Sequence, residues 1–576
     1  MEIFYDQLLS LLLLGVLGLT GYSVYLWMEK GLSRVAGKDP RSRGGEVPEV
    51  APAAKKNLQW FVGELRDFFR WLPEGVRKND RVGRSLLRDA MSKKTLSSLA
   101  ADFLMVVIIS LVMAYYCSAK QGGLDLYMST FIPLLGVLAL IFWFTETMKS
   151  NRILSFCVAL LILVGISLQI LLKLPAEDPG AASELVIYAL ISVIIGLIAV
   201  PIIRLFCCEM RRSHAVFLLN MMVVGIYLLL IVAGKEINGT KAWLIVAGRS
   251  FQLTEVTKML SSAIFALQFT DETVTVKGAV TAEKKSDRRL LNALITLAIN
   301  AAFLFVINEF GTLCVLALVF FVLAMVYLVS VKKLLAMIMA CLIAASIALM
   351  GCGYCYDIKY AEETVEVTEP TAETAPDASA PAGEEAPQQK DHGKIVNLGA
   401  RIYKKFKIRM DLIFAPETVD PYNEGYQTMK ARAALLMAGW LGSEYEVSIP
   451  VVSSDFIFAY LVMKMGMIFG ILVIVLLLVM LCMGSMGCLK NRNNAEASVG
   501  LAFLLAITLQ SLVAAASASG LFIMIGMPFA FLAEGGSASV MNYVMVMYLL
   551  YVIRGKEAHA ALRTRNGNEP LARKEG

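Results

Sequence analysis

Charge is scarce in this chain. Asp, Glu, Lys and Arg make up 17% of its 576 residues, well below the roughly 25% of soluble domains, and that deficit excludes a soluble enzyme. A zinc-like cysteine spacing is missing too: ten cysteines are scattered, most of them inside apolar runs, where a thiol behaves as a small hydrophobe. The first apolar run, Leu8 to Trp27, lacks a basic n-region and an A-x-A-like cleavage site, so it reads as a retained anchor rather than a signal peptide. Nothing in the charge pattern calls for nucleic acid.

What is present is apolar surface: 57% of residues are hydrophobic and the mean hydropathy is +0.66. Many runs reach the roughly 20 residues needed to cross a hydrocarbon core, where only helices satisfy their own backbone. The fold class expected is therefore an all-α polytopic membrane protein. Thirteen spans are predicted, at about 8–27, 99–118, 131–148, 153–172, 184–206, 215–234, 253–269, 290–307, 312–331, 334–352, 456–485, 497–516 and 536–553. Between Met28 and Ser98 sixteen Lys/Arg face nine Asp/Glu, whereas Tyr356 to Asp391 carries ten acidic residues and two lysines. The positive-inside tendency puts the first region in the cytoplasm and the second outside, with the N-terminus outside and the C-terminal tail, 556–576, inside the cell. The short basic connectors MKSNR, MRRSH, EKKSDRR and CLKNRN then share one side.

Several stretches have their own character. Within 28–98, LQWFVGELRDFFRWL reads either as an amphipathic helix on the cytoplasmic membrane surface or as part of a soluble hairpin. A large extracytoplasmic loop, 353–455, precedes the last three spans, and its part 361–389, rich in Ala, Pro, Glu and Thr, is expected to be disordered. After it, ARIYKKFKIRMDLIFAP suggests an amphipathic piece resting on anionic lipid head groups. Cys352 and Cys355 either form a local disulfide or stay unpaired.

Ionisable residues inside spans are costly and mark candidate sites. Glu255 and Lys258 in FQLTEVTKMLSS share a helix face at i,i+3, as a structural ion pair or as a lining that presents Lys258 to an anionic head group. Glu309, Asp455 and Glu534 lie near expected outer boundaries, and a continuous helix would carry Lys464 roughly 13 Å deeper than Asp455. The Met-rich stretches VMKMGMIF and VMVMYLL fit helix packing and suggest no metal pathway.

The order of five motifs is more specific than any of them alone. FQLTEVTK, with Gln252, Glu255 and Lys258, INEFGT with Glu309, VDPYNEGYQ with Asp420, Pro421, Gly425, Tyr426 and Gln427, SDFIFA with Asp455, and GMPFAFLAEGGSAS with Pro528, Phe531, Gly535, Gly536 and Ser537 follow one another along the chain. In this order they resemble the SEDS family of bacterial cell-wall proteins, the group containing FtsW, RodA and SpoVE. The resemblance runs from about Ile153 to Arg554. It implies a SEDS-like ten-helix core over 151–555, with 1–150 as an extra N-terminal membrane region of about three spans. The chain departs from the family at Val462 to Met465, where a Glu-Glu stretch is usual and Lys464 stands instead, and at Ala530, Ala533 and Glu534.

The resemblance implies a peptidoglycan glycosyltransferase that polymerises lipid II at the outer face of the cytoplasmic membrane, with a class B penicillin-binding transpeptidase as partner. It assigns the catalytic position to Asp420, which is also the carboxylate the sequence offers on the expected face. Gln252, Glu255, Lys258, Gly425, Tyr426, Gln427, Asp455, Gly535, Gly536 and Ser537 are the substrate-binding candidates. No cofactor is implied, and a divalent cation held between lipid and carboxylate is compatible with these residues. Transport of the lipid-linked precursor, or a scaffold that keeps the fold with altered catalysis, are the competing readings.

Overall fold

In the computed structural model of the chain, the described residues are 107, 124–148, 150–173, 179–237, 239–246, 249–270, 279–327, 331–366, 394–420, 422, 425–443, 445, 447–490, 495–534 and 536–554. They form fourteen α-helices and a three-stranded sheet, and eight of the helices are long and apolar enough to cross a membrane. This is a multi-pass membrane protein. In chain order the helices are α1 (Leu124–Met148), α2 (Arg152–Lys173), α3 (Pro179–Arg204), α4 (Arg212–Ala233), α5 (Leu253–Phe269), α6 (Ala279–Ile307) and α7 (Phe310–Tyr327). There follow α8 (Val331–Glu366), α9 (Lys394–Phe414), α10 (Tyr426–Met437), α11 (Ile457–Met465), α12 (Met467–Leu489), α13 (Ala495–Ala518) and α14 (Gly536–Val552). The described residues divide into two compact units, one within 331–429 and one made of those within 107–327 together with those within 430–554.

The second unit is organised around α13, which packs on α5, α7, α12 and α14. Alanine and glycine let its neighbours approach closely: a Cβ on Gly500 would stand 3.1 Å from Val552, and one on Gly484 of α12 2.6 Å from Leu504. By contrast α3 is apolar all round, and Ile187, Ile191, Ile194, Ile198 and Ile202 stay exposed on it, as a lipid-facing surface requires. One end of the bundle is tied by Glu496, which accepts from Arg554 at 2.9 Å and pairs with Arg204 at 3.5 Å, joining α3, α13 and the end of α14. Of the three extra N-terminal spans, 131–148 lies within α1, which packs on α2, α3 and α14. Span 8–27 and segment 28–98 fall outside the described residues, as does span 99–118 except for residue 107.

The span expected at 456–485 is not one helix. It breaks at Gly466, whose φ of 99° lies in the region that favours glycine, and the chain reverses there. A Cβ on Gly470 would stand 2.6 Å from Val462 and 3.6 Å from Phe458, whereas a straight helix would hold those pairs roughly 12 and 18 Å apart. Thus α11 folds back against α12. Lys464, in the last turn of α11, sits half-buried beside the apex of this turn, next to Gly442. The orphaned backbone groups at the break are met by the loop before α11, through Ser443 N–H to Met463 O at 2.9 Å and Met467 N–H to Gly439 O at 3.1 Å.

A second irregular segment, between α13 and α14, also turns back into the bundle. Irregular backbone at that depth needs polar side chains to satisfy it, and the spans supply them. Gln510 of α13 donates to Pro528 O at 2.8 Å, Ala530 N–H donates to Ser511 Oγ at 3.3 Å, and Gln169 of α2 donates to Leu532 O at 2.8 Å and to Ser453 O at 3.0 Å. Phe531 adopts φ 66°, costly for a bulky residue, and Gly165 of α2 makes room, since a Cβ there would lie 2.0 Å from the Phe531 carbonyl oxygen. Phe458 of α11 stacks on Phe529 at 5.9 Å, so the two re-entrant pieces pack together.

One element went unread in the sequence. β1 (Lys235–Ile237), β2 (Thr240–Val246) and β3 (Arg249–Gln252) form an antiparallel sheet that delivers the chain to α5. The hairpin pairs Ile237 with Thr240 across Asn238-Gly239, a dipeptide that favours two-residue turns. In the first unit, α9 lies along α8, burying Ala400, Ile402 and Leu412 and setting Tyr403 against Gly353 and 5.3 Å from Tyr356. Part of its apolar face is therefore covered by α8, while Phe414 at its end stays exposed. Cys352 and Cys355 are both free thiols on α8. Residues 361–366 continue that helix, and the rest of the segment expected to be disordered lies outside the described residues.

Candidate functional site

β3 ends at Gln252 and α5 begins at Leu253, so the first motif sits on a strand-to-helix junction. Glu255 lies in the first turn of α5, where a carboxylate complements the helix dipole. Both Glu255 and Lys258 are buried, at 3% and 1% exposure. A buried ion pair is tolerated only when further hydrogen bonds satisfy its members. Here the Lys258 ammonium donates to Glu255 and also to Oε1 of Gln510, whose amide nitrogen in turn reaches Pro528 O. A polar relay therefore runs from α5 through α13 to the re-entrant segment of the fifth motif. The enclosed Lys258 ammonium is committed to these two partners, so the arrangement favours the structural pair over a lysine presented to an anion.

Around this relay stand two further carboxylates. Glu309, between α6 and α7, is buried and accepts from Thr312 Oγ1 at 3.4 Å. Its carboxyl is pushed up to about 7, chiefly by burial and then by the nearby Glu255 charge, with Asp455 adding to the rise and Thr312 and Lys258 opposing it. Asp455 is half-buried just before α11, and its Oδ2 is 3.1 Å from where a Cβ on Gly526 would stand. The first and fifth motifs also meet directly, because Gln252 N–H donates to Ser537 Oγ at 3.0 Å. Ser537 is buried at the start of α14, Gly536 is exposed, and Gly535 lies outside the described residues.

The third motif belongs to the first unit. Asp420 is exposed, and its Oδ1 accepts from Tyr422 N–H at 2.8 Å in an Asx turn. Gly425 N–H returns to Asp420 O at 2.9 Å, and a Cβ on Gly425 would meet that oxygen at 3.1 Å and Leu412 of α9 at 3.4 Å. Close approach, then, is what requires glycine here. Tyr426 is half-buried and Gln427 exposed in the first turn of α10.

Gln169, Gln510 and Ser511 carry no charge, so the cost of burying an ionisable group does not point to them. A lone glutamine in an apolar helix, as in ISLQILL or ITLQSLV, also needs a partner and was the available signal. Among the described residues no group of three His, Cys, Asp or Glu side chains is placed to hold a metal ion.

Over 348 residues the chain is 25% identical to a probable peptidoglycan glycosyltransferase FtsW of Legionella pneumophila, a match covering 58% of this chain and 73% of that protein. Over 166 residues it is 26% identical to a probable peptidoglycan glycosyltransferase FtsW of a Synechocystis strain, covering 28% of this chain but only 42% of that protein. Among solved structures, a chain of a peptidoglycan synthase complex described as coordinating polymerization and crosslinking aligns with TM-score 0.48 at 15% identity, over 70% of this chain and 97% of its own. The rod shape determining protein RodA of Thermus thermophilus aligns with TM-score 0.40 at 15% identity, over 70% and 96%. The family model described as cell cycle protein, covering FtsW, RodA and SpoVE, matches residues 151–365 and 395–558, which take in all five motifs, and the chain belongs to that family.

Proposed function

We propose that this protein is a peptidoglycan glycosyltransferase that polymerises lipid II at the outer face of the cytoplasmic membrane, in division, elongation or sporulation. Family membership and the names of the relatives support the activity at family level. The observation that carries the reading to this chain's own residues is the relay Glu255–Lys258–Gln510–Pro528, which ties the first motif to the last.

In this reading an acceptor sugar hydroxyl attacks the anomeric carbon of the lipid-linked donor. The new C–O bond forms as the bond to diphosphate breaks, the electron pair leaves with the diphosphate, and the hydroxyl proton passes to a base. Asp420 is that base: it is exposed and held by an Asx turn on a loop that Gly425 folds tightly back. Diphosphate is already a good leaving group, so one carboxylate suffices where a glycosidase needs two. Within the second unit, Lys258 serves as a positioning residue that fixes Gln510 and the re-entrant segment, and Asp455, Gln252, Gly536 and Ser537 are its candidates for binding substrate. The N-terminus lies outside and the C-terminal tail inside, and a class B penicillin-binding transpeptidase is the partner that would crosslink the product.

The test is polymerisation of lipid II by the purified full-length protein, wild type against Asp420→Asn, which keeps the shape and removes the base. Loss of at least a hundredfold in rate with unchanged lipid II binding is expected, in line with the usual 10²–10⁴-fold contribution of a general base. Equal polymer yield from both proteins would remove Asp420 from the mechanism. Movement of fluorescent lipid II across liposomes without any polymer would favour transport instead.

A further inference from the structure

At the end of the bundle remote from the acid–lysine cluster, α4, α5 and α6 enclose a cavity of about 790 Å³. Gln268, in its wall, lies on α5 roughly 15 Å beyond Lys258 at about 1.5 Å per residue. The lining is of two kinds. Two arginines line it, Arg212, the first residue of α4, and Arg289, at the start of the apolar part of α6, together with Asn220, Gln268 and Thr296. The rest is apolar, and Met221 and Ile295, 46% and 49% exposed, leave that wall open on the side of the spans.

The polar groups are held in place. Arg212 donates to the Thr270 carbonyl, and the Gln268 amide donates to Thr296 Oγ1 at 2.9 Å. Two guanidinium groups beside an apolar wall that opens between membrane-spanning helices match an amphiphile with a phosphate at one end. We propose that this cavity binds an anionic glycerophospholipid, its phosphate on Arg212 and Arg289 and an acyl chain along Met221 and Ile295. A guanidinium suits a phosphate because its N–H fork donates two parallel bonds, and the volume lies within the range of small-molecule sites. The site is separate from the polymerisation reading and stands whether or not that reading holds.

The experiment is native mass spectrometry of the full-length protein in detergent, titrated with phosphatidylglycerol, phosphatidylcholine or soluble glycerol phosphate. Phosphatidylglycerol is expected to remain bound where phosphatidylcholine does not, with retention falling about fivefold for each of Arg212→Gln and Arg289→Gln, the effect of roughly one basic residue on an anionic lipid. Arg211→Gln removes the same charge from an exposed neighbour outside the cavity and should bind as wild type does. Ile295→Trp keeps every charge while filling the apolar wall, so a loss there is readable even where an arginine variant folds poorly. Equal losses from Arg211→Gln and Arg212→Gln, full binding by Ile295→Trp, or displacement by glycerol phosphate at matching concentration would each overturn the proposal.

Discussion

Replacing Glu309 by Gln removes a carboxyl whose ionisation the fold opposes, and the consequence can be worked through with its sign. Unfolded, the group ionises near its ordinary value of 4.5; folded, burial and the Glu255 charge push it up to about 7. Between those values the native state binds the extra proton, so this residue's contribution to stability falls as pH rises from 4.5 to 7 and is flat above. The interval is roughly 2.5 pH units at about 1.4 kcal/mol each, or about 3 kcal/mol, and at 7% exposure little of it is lost to solvent. Glutamine keeps the shape and can still take the Thr312 hydroxyl, but carries no charge to desolvate. Thermal unfolding in detergent micelles between pH 4.5 and 8.5 should therefore show the Glu309→Gln protein gaining on wild type by about 3 kcal/mol across the window, with the two curves parallel above pH 8. Curves parallel throughout, or a variant that loses ground as pH rises, would refute the assignment of Glu309 as a buried acid destabilised by its neighbours.

Two further outcomes follow from the geometry. Lys258→Met leaves Glu255 buried and unpaired, a loss of roughly 3–5 kcal/mol. Over roughly 400 residues at about 2.1 cal/mol/K each, that is a fall of about 4–6 °C in Tm, and the double variant with Glu255→Gln should recover most of it by differential scanning calorimetry; no recovery would mean that Lys258 stabilises through something other than the pair. Gly466→Ala forces a side chain onto a φ of 99° with its Cβ 2.2 Å from the Trp440 carbonyl oxygen. It should lower Tm by more than a Gly470→Ala change, whose contact is with a side-chain methyl of Val462 rather than with backbone and whose φ is unstrained, and equal melting would argue against a reversal at Gly466.

The helices of the core were legible because crossing a membrane demands a long apolar run, and that demand is local. The expected span 253–269 coincides with α5, and the boundaries of α2, α4 and α13 lie within three residues of expectation. The break at Gly466 was not legible, because MKMGMIF is apolar on both sides of the glycine and hydropathy does not register a reversal. In α9 the apolar periodicity was read correctly, yet it identifies only that a face is buried; α8 is what covers it. The sheet before α5 leaves no mark in hydropathy, and Asn238-Gly239 is its signal in the sequence.

Family membership, the multi-pass class and the residues of the five motifs follow from sequence alone, since each rests on residue type and order. The partners of those residues do not. Lys258 finds Gln510 from 252 positions away, and Gln252 finds Ser537 from 285, contacts that no local pattern encodes. They exist because α13 passes through the middle of the second unit and because backbone that re-enters a bilayer-spanning bundle must take its hydrogen bonds from whichever polar side chains the packing brings to that depth. Only the tertiary structure decided that Lys464 lies beside the apex of a reversal, and that Lys258 is enclosed by its own chain.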